Sequence, residues 1–193
     1  MILVLTTPRT GSTWFCEHLA YTYSLENLDE YFGEHEISVD DQVSKLEYLK
    51  QNKNVVLKCF PWHFRNTRIS FSRANFLEKN LLKLADKIYI LVRNDFNSQC
   101  KSYYLAKTSG IWSGVPQEQA NINLDINLYN YYVRHLQDGY KQLAEYNKLY
   151  KCEIVEYESL PFPKNEKYIR PVIWDKQPES VEFDIKSLFY PKC

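Results

Sequence analysis

The chain of 193 residues is long enough to bury one sizeable core, and its even balance of 24 Lys plus Arg against 24 Asp plus Glu argues against bulk nucleic-acid binding. The five cysteines form no CxxC pair, which excludes the usual spacing of metal ligands and favours reduced thiols in a cytosol-like compartment. The apolar run at the N-terminus is too short for a signal or a membrane span. We therefore expect one cytoplasmic domain over residues 1–193, without a transmembrane segment or a nucleic-acid partner.

The first predicted element is a short apolar strand, Ile2–Leu5, followed by a loop of small residues and a helix that includes Trp14–Ala20. The N–H groups of such a loop and the positive end of the helix dipole face the same point, which suits an anion. The candidate contacts are Arg9, Thr10, Gly11, Ser12 and Thr13. An ordinary strand–helix turn with a Ser/Thr cap is the alternative, and the Gly-Lys-Ser/Thr signature of a Walker A loop is absent.

An acidic loop follows this helix and holds Glu30 next to Tyr31 and Phe32. A carboxylate flanked by aromatic residues is expected to be partly desolvated, and such a group can act as a general base. The alternative is a solvated loop carboxylate without a chemical role. A helix capped near Ser38 and running to about Gln51 comes next.

The second predicted strand, Asn54–Phe60, is apolar except for Lys58. A lysine near the carboxyl end of a central parallel strand points toward the ligand crevice of an open α/β sheet, whereas on an edge strand it would face solvent. His63 follows the same strand and is a second candidate for acid–base chemistry. A lone histidine among aromatic residues more often has a structural role, so Glu30 is preferred.

A helix, Ser70–Ala85, and a third strand, Lys87–Val92, lead directly to Arg93. The next predicted helix, Asp95–Lys107, carries Ser102. Arg93 at the strand end and Ser102 on the helix are able to converge on a second anionic group. Arginines at strand ends and serines on helices are common, so this pair is informative only together with the first loop.

The rest of the chain completes a three-layer, P-loop-like α/β fold with a parallel sheet of about four or five strands. A loop with Trp112 either lines a substrate mouth or fills the core. The long helical stretch Asn121–Tyr150 carries His135, which we interpret as a packed helix residue, and Cys152–Tyr157 is the fourth strand. The Pro-rich segment 161–193 is expected to be an irregular tail that either folds over a bound nucleotide or wraps the surface.

Two of these stretches together resemble the PAPS-dependent sulfotransferases. Pro8–Trp14 resembles their loop for the 5′-phosphosulfate, and Arg93–Ser102 resembles the segment in which an Arg and a later Ser share the 3′-phosphate. The best match is the Stf0 branch, which sulfates trehalose and which has the same Arg-to-Ser spacing and a Glu-aromatic-Phe element, here Glu30–Phe32. The resemblance covers most of Ile2–Tyr157 in order.

This resemblance implies a sulfotransferase that moves a sulfuryl group from PAPS (3′-phosphoadenosine 5′-phosphosulfate) to an acceptor hydroxyl, with a carbohydrate or glycolipid as candidate acceptor and PAP as product. The displacement at sulfur would be in line and metal-free. Glu30 would be the general base, while Arg9 and Lys58 would stabilise the charge on the leaving phosphate. Arg170 in the tail is a candidate for the nucleotide-clamp residue.

The chain departs from the cytosolic sulfotransferases at their histidine base. The slot two residues beyond the strand lysine holds Phe60, and His63 lies three positions later. This departure favours Glu30 as the base.

Two other functions stay open at the level of sequence. A P-loop kinase-like phosphotransferase would require the Gly-Lys-Ser/Thr signature and a Mg²⁺-binding carboxylate at a strand end. A non-catalytic nucleotide-binding or partner-binding protein could have lost its site residues, but Arg9, Glu30, Lys58, Arg93 and Ser102 are all present.

Overall fold

The arrangement of strands comes from a computed structural model that describes residues 1–33, 39–64, 71–110, 112, 120–161 and 172–190. The strands are β1 (Ile2–Thr6), β2 (Glu26–Asn27), β3 (Val55–Cys59), β4 (Lys87–Val92), β5 (Ala120–Ile122), β6 (Cys152–Glu156) and β7 (Val172–Trp174). Five of them form one parallel sheet in the order β2-β3-β1-β4-β6, and β5 pairs with β7 in a separate two-stranded parallel sheet.

The connections between the strands are mainly helical. The α-helices in the described ranges are α1 (Ser12–Tyr23), α2 (Val39–Gln51), α3 (Phe71–Leu84), α4 (Phe96–Ser109), α5 (Ile126–Leu149) and α6 (Ile185–Phe189). Short 3₁₀ turns follow β3 at Pro61–Phe64 and β6 at Tyr157–Ser159. Within these described ranges, no helix combines the length and the apolar character needed to cross a membrane.

Alternate strand residues pack on opposite faces of the sheet, as the two-residue period of a strand requires. On one face, Val4 and Val56 are buried together with Phe15 of α1. On the other face, Leu57 and Ile90 belong to a larger core that includes buried residues of α2, α3 and α5. Helices thus cover both faces, and the predicted three-layer α/β fold with a parallel sheet is confirmed.

The four main strands predicted from apolar runs correspond to β1, β3, β4 and β6. The fifth strand, β2, was not predicted because its two exposed residues, Glu26 and Asn27, form no apolar run. Its identity as a strand depends on pairing with Val55 and Val56 at the edge of the sheet.

Two predictions at the C-terminal side are wrong. The helix predicted over Asn121–Tyr150 begins only at Ile126, because the Asp125 carboxylate accepts main-chain N–H groups of the first turn and Ala120–Ile122 pairs with β7. The tail predicted to be irregular contains β7 and α6 within its described part. Ile185 and Phe189 of α6 are buried in the larger core, which gives this short helix its stability.

The strand order makes the chain connections diverge at the carboxyl ends of β1 and β4. The chain leaves central β1 toward β2 and β3, then crosses to β4 on the other side of β1 and continues to β6. In open parallel α/β sheets, ligands bind at the carboxyl ends of the strands where the connections diverge in this way. That point lies between the loops that follow β1 and β4.

Candidate functional site

The loop after β1 turns sharply into α1. Arg9 and Gly11 both have φ in the left-handed region, at 67° and 75°. Glycine adopts this conformation easily, whereas a residue with a side chain is strained there by roughly 1–3 kcal/mol, and such strain concentrates at functional sites. Gly11 is the N-cap of α1 and no side chain caps the helix. The first N–H groups of α1 are the groups that the sequence predicts to bind an anion.

Threonine hydroxyls hold this loop from within. The Thr6 and Thr10 hydroxyl oxygens lie 2.6 Å apart, and they also contact the carbonyl oxygens of Leu91 and Thr7, each at 3.0 Å. Thr10 is fully buried. Its hydroxyl thus has a structural role, and any ligand contact by this predicted site residue would come from its main chain.

The Arg9 side chain spans the crevice from the loop after β1 to α4. Its Nε donates to Ser102 Oγ at 2.8 Å, and one terminal nitrogen donates to the carbonyl oxygen of Trp112. These bonds place the guanidinium between the two predicted anion-binding elements, where it is half-buried.

Lys58 lies at the same edge of the sheet and is only 3% exposed. Its ammonium donates to Thr13 Oγ1 at 2.8 Å and lies 2.7 Å from Asp29 Oδ1 and 3.2 Å from Glu30 Oε1. Since β3 lies inside the sheet between β2 and β1, the alternative of a solvent-facing edge lysine is wrong. A buried ammonium requires such partners, because desolvation of an unpaired charge costs several kcal/mol.

Asp29 is a site residue that sequence reasoning missed. It has φ 48° and its carbonyl oxygen accepts the main-chain N–H of Lys58 at 2.9 Å, so the strand and the acidic loop are joined at this point. The signal in the sequence was its position directly before Glu30, but an acidic pair in a loop does not indicate which carboxylate faces a lysine.

Glu30 is held at the crevice by a turn. Its carbonyl oxygen accepts the N–H of Gly33 at 2.7 Å, and a Cβ at Gly33 would lie 2.9 Å from Glu30 Cβ, so a glycine is required here. The Glu30 side chain is 40% exposed. Phe32 is buried in the core and Tyr31 packs against Tyr48, so the expected aromatic desolvation of the carboxylate is not found. Phe32 is buried and Tyr31 is only partly buried against the core, while the carboxylate faces Lys58.

His63 lies in the 3₁₀ turn after β3, where its ring packs on Phe60 at a centroid distance of 4.9 Å. Its Nδ1 accepts the main-chain N–H of Phe60 at 3.3 Å. With Nδ1 in this role, a neutral imidazole carries its proton on Nε2 and is poorly suited to remove a proton from a hydroxyl. This geometry favours Glu30 over His63 as a base.

Arg93 and Ser102 both reach the crevice, but they are joined through Arg9. A terminal nitrogen of Arg93 donates to the Arg9 carbonyl oxygen at 3.1 Å, whereas Ser102 accepts from the Arg9 side chain. The Arg93 guanidinium lies 4.6 Å from the centroid of the Tyr157 ring. Its Nε is buried and has no hydrogen-bond partner among the described residues, so a donor remains to be satisfied here.

Sequence reasoning also missed a pair of buried, hydrogen-bonded polar side chains behind these loops. Gln99 and Tyr140 are fully buried and hydrogen-bonded to each other, and they contact Thr7, Pro8 and Arg93 of the two loops. Buried polar side chains on helices resemble ordinary surface residues in a sequence, and no local pattern marks this pair.

An aromatic surface adjoins the Arg9 side of the crevice. We define it by Trp62, Tyr103, Trp112, Tyr131 and His135. The His135 imidazole packs on the Trp62 ring at a centroid distance of 4.1 Å, in agreement with the interpretation of His135 as a packed helix residue. Burial lowers the pKa of His135, aided by the nearby Lys107 charge. Trp112 and Tyr131 are 44% and 59% exposed, whereas Tyr103 is buried, so a ligand can reach this surface at Trp112 and Tyr131.

The remaining predictions concern the tail and metals. Arg170, the predicted clamp residue, lies outside the described residues. Within the described part of the chain, no cluster of three or more His, Cys, Asp or Glu side chains has the arrangement of a metal site. Cys16, Cys59, Cys100 and Cys152 carry free thiols.

The described groups define a cationic crevice with a carboxylate pair on one side and an aromatic surface on another. Such an arrangement is able to hold a ligand with more than one anionic group and to place a neutral molecule next to it. In the comparisons with known proteins, no protein-family model and no curated protein matches this chain.

Proposed function

We propose that this protein is a PAPS-dependent sulfotransferase, which moves the sulfuryl group of PAPS to an acceptor hydroxyl. The observation that carries the proposal is the contact between Arg93 and the main chain of Arg9, from the loops after neighbouring strands β4 and β1, together with the buried Lys58, which contacts Thr13 at the start of α1. Two arginines from separate loops suit a ligand with two separated anionic groups, and PAPS has a 3′-phosphate and a 5′-phosphosulfate. The similarity of both loops to sulfotransferase motifs supports the same ligand.

The 5′-phosphosulfate is assigned to the loop after β1. The N–H groups at the start of α1, next to Gly11, would bind its oxygens, with Ser12 and Thr13 in the first turn. Lys58 contacts Thr13 in the same place and is the group that would stabilise charge on the leaving phosphate. Contacts of this kind typically contribute about two to three orders of magnitude in rate.

The 3′-phosphate is assigned to Arg93 and Ser102. Arg93 has a buried Nε without a partner among the described residues, and a phosphate oxygen would satisfy it. Ser102 is held toward the crevice by Arg9 at 2.8 Å. Binding at this position would let Ser102 exchange its contact with Arg9 for a contact with the ligand.

In the reaction, an acceptor oxygen attacks sulfur while the bond from sulfur to the bridging phosphate oxygen breaks, and the bonding pair stays on the phosphate. The proton of the acceptor hydroxyl passes to Glu30, which lies 3.2 Å from Lys58. Because Asp29 also pairs with Lys58, that lysine keeps one carboxylate partner when Glu30 turns toward the acceptor. The products are the sulfated acceptor and PAP.

The acceptor is assigned to the aromatic surface. Exposed rings of Trp112 and Tyr131 would stack on the flat, weakly polar side of a sugar or another ring that carries a hydroxyl. The Trp112 carbonyl is bonded to Arg9, so a molecule on this surface lies next to the cationic crevice.

A binding experiment tests the nucleotide assignment. We expect PAP to bind far more tightly than AMP, ADP or ATP in calorimetry, because only PAP carries a 3′-phosphate for Arg93. Transfer of label from radiolabelled PAPS to a panel of sugars, glycolipids and phenols tests the reaction. Equal affinity for all four nucleotides would contradict the proposal and favour a kinase-like phosphotransferase, whereas PAP binding without transfer to any acceptor would favour a non-catalytic nucleotide-binding protein.

A further inference from the structure

The loops after β1 and β4 are connected by a buried chain of hydrogen bonds that takes no part in the chemistry described above. The Tyr140 hydroxyl accepts the main-chain N–H of Arg93 at 3.1 Å and donates to Gln99 Oε1 at 2.7 Å. Gln99 Nε2 in turn donates to Thr7 Oγ1 at 2.9 Å and to the Pro8 carbonyl oxygen at 2.6 Å. This chain links the residue after β4 to two residues of the loop after β1.

Every polar atom of the two connecting side chains has a partner. The Gln99 amide uses both of its N–H groups and its oxygen, and the Tyr140 hydroxyl acts once as donor and once as acceptor. Burial raises the pKa of Tyr140 to about 12, so the hydroxyl keeps its proton at neutral pH and remains a donor. A fully satisfied buried network has one geometry, and loss of one member leaves buried groups unpaired.

Helix α5 can supply this hydroxyl because it lies very close to the loop. A Cβ at Gly139 would be 2.8 Å from Thr7 Cγ2, so only glycine allows the neighbouring Tyr140 to reach its partners without displacing the loop. The close approach of α5 to the loop therefore depends on Gly139, and the hydrogen-bond chain depends on the next residue, Tyr140.

We propose that Tyr140 and Gln99 are positioning residues that fix the loops after β1 and β4 relative to each other, so that one ligand engages both anion-binding loops at once. The inference rests on the proposed function, because it concerns the 5′ and 3′ groups of the same nucleotide. Two sites held at the correct separation make the second contact intramolecular, and the affinity for a ligand with both groups then exceeds that for a ligand with one. If the separation varies, this advantage is lost although each loop still binds its own group.

The test is the Tyr140→Phe variant with Tyr129→Phe as its matched control. Both tyrosines are buried on α5, but the Tyr129 hydroxyl has no hydrogen-bond partner among the described residues. The readout is the ratio of the AMP and PAP dissociation constants from calorimetry. We expect Tyr140→Phe to reduce this preference for PAP roughly ten- to a hundredfold, a part of the roughly 10²–10⁴-fold advantage that linked contacts can give, and Tyr129→Phe to leave it unchanged. General loosening of the fold would weaken both ligands alike and would not change the ratio.

A second variant covers the case in which Tyr140→Phe does not fold. Gln99→Met keeps the size of the side chain but removes the bonds to Thr7 and Pro8, and it should reduce the same ratio. A wild-type preference for PAP that both variants retain would overturn the positioning role while leaving the proposed function intact. A wild-type protein without any preference for PAP would overturn the proposed function and this inference together.

Discussion

Replacement of Glu30 by glutamine separates its chemical role from its structural one. The carboxylate is 40% exposed and 3.2 Å from the Lys58 ammonium, and an ion pair at this distance in a water-like medium is worth about 1 kcal/mol. Dissolved salt screens the exposed carboxylate and reduces this value further, and Lys58 retains Asp29 at 2.7 Å, so the free energy of unfolding should fall by less than about 1 kcal/mol. Turnover should fall about 10²–10⁴-fold, which corresponds to about 2.7–5.4 kcal/mol of activation free energy.

The assay is transfer of label from radiolabelled PAPS, together with calorimetry of PAP, which should bind Glu30→Gln as well as wild type. Asp29→Asn is the matched control, because it also removes one carboxylate from Lys58 but removes no proposed base. His63→Ala should have a smaller effect on turnover than Glu30→Gln, since its Nδ1 is used by Phe60. An active Glu30→Gln with an inactive His63→Ala would reverse the assignment, and equal losses in Asp29→Asn and Glu30→Gln would show that charge around Lys58, not proton transfer, is what matters.

Three further outcomes follow from the same contacts. Arg93→Ala should weaken PAP about ten- to a hundredfold while leaving AMP nearly unchanged in calorimetry, since a charge-assisted bond contributes about 1.5–3 kcal/mol; equal weakening of both nucleotides would argue against a 3′-phosphate contact. Burial lowers the pKa of His135 below its ordinary value of 6.5, so near and below that pH the unfolded state binds more protons than the folded state and the free energy of unfolding falls as the pH falls. His135→Gln should make this fall smaller, as measured by urea denaturation at about pH 7.5 and about pH 5.5. A Gly→Ala change inside an ordinary helix stabilises the fold by about 0.5–1 kcal/mol. Gly139→Ala should instead lower Tm, because the new Cβ would lie 2.8 Å from Thr7 Cγ2, and an unchanged Tm would contradict the close approach of α5 to the loop.

The sheet was predictable from the sequence because buried parallel strands are covered on both faces and therefore appear as continuous apolar runs. Ile2–Leu5 and Lys87–Val92 are such runs, and each ends directly at a loop with polar residues. The carboxyl ends of parallel strands meet at one edge, so the sequence alone predicts that Arg9, Lys58 and Arg93 lie near a common crevice. The strand β2 has no such run, and the start of α5 depends on the Asp125 cap and on pairing with β7.

The partners of each site residue were decided only by the tertiary structure. Lys58 was predicted at the crevice, but its pairing with Asp29 and Glu30 depends on β2 lying next to β3, which no local pattern specifies. The aromatic residues beside Glu30 were expected to desolvate the carboxylate partly, yet Phe32 is buried in the core and Tyr31 packs against Tyr48. Gln99 and Tyr140 are 41 positions apart and meet because α5 approaches β1 closely at Gly139. Residue types and strand ends are local properties that a sequence carries directly, whereas these contacts arise from the packing of distant elements, whose separations are set by the whole core at once.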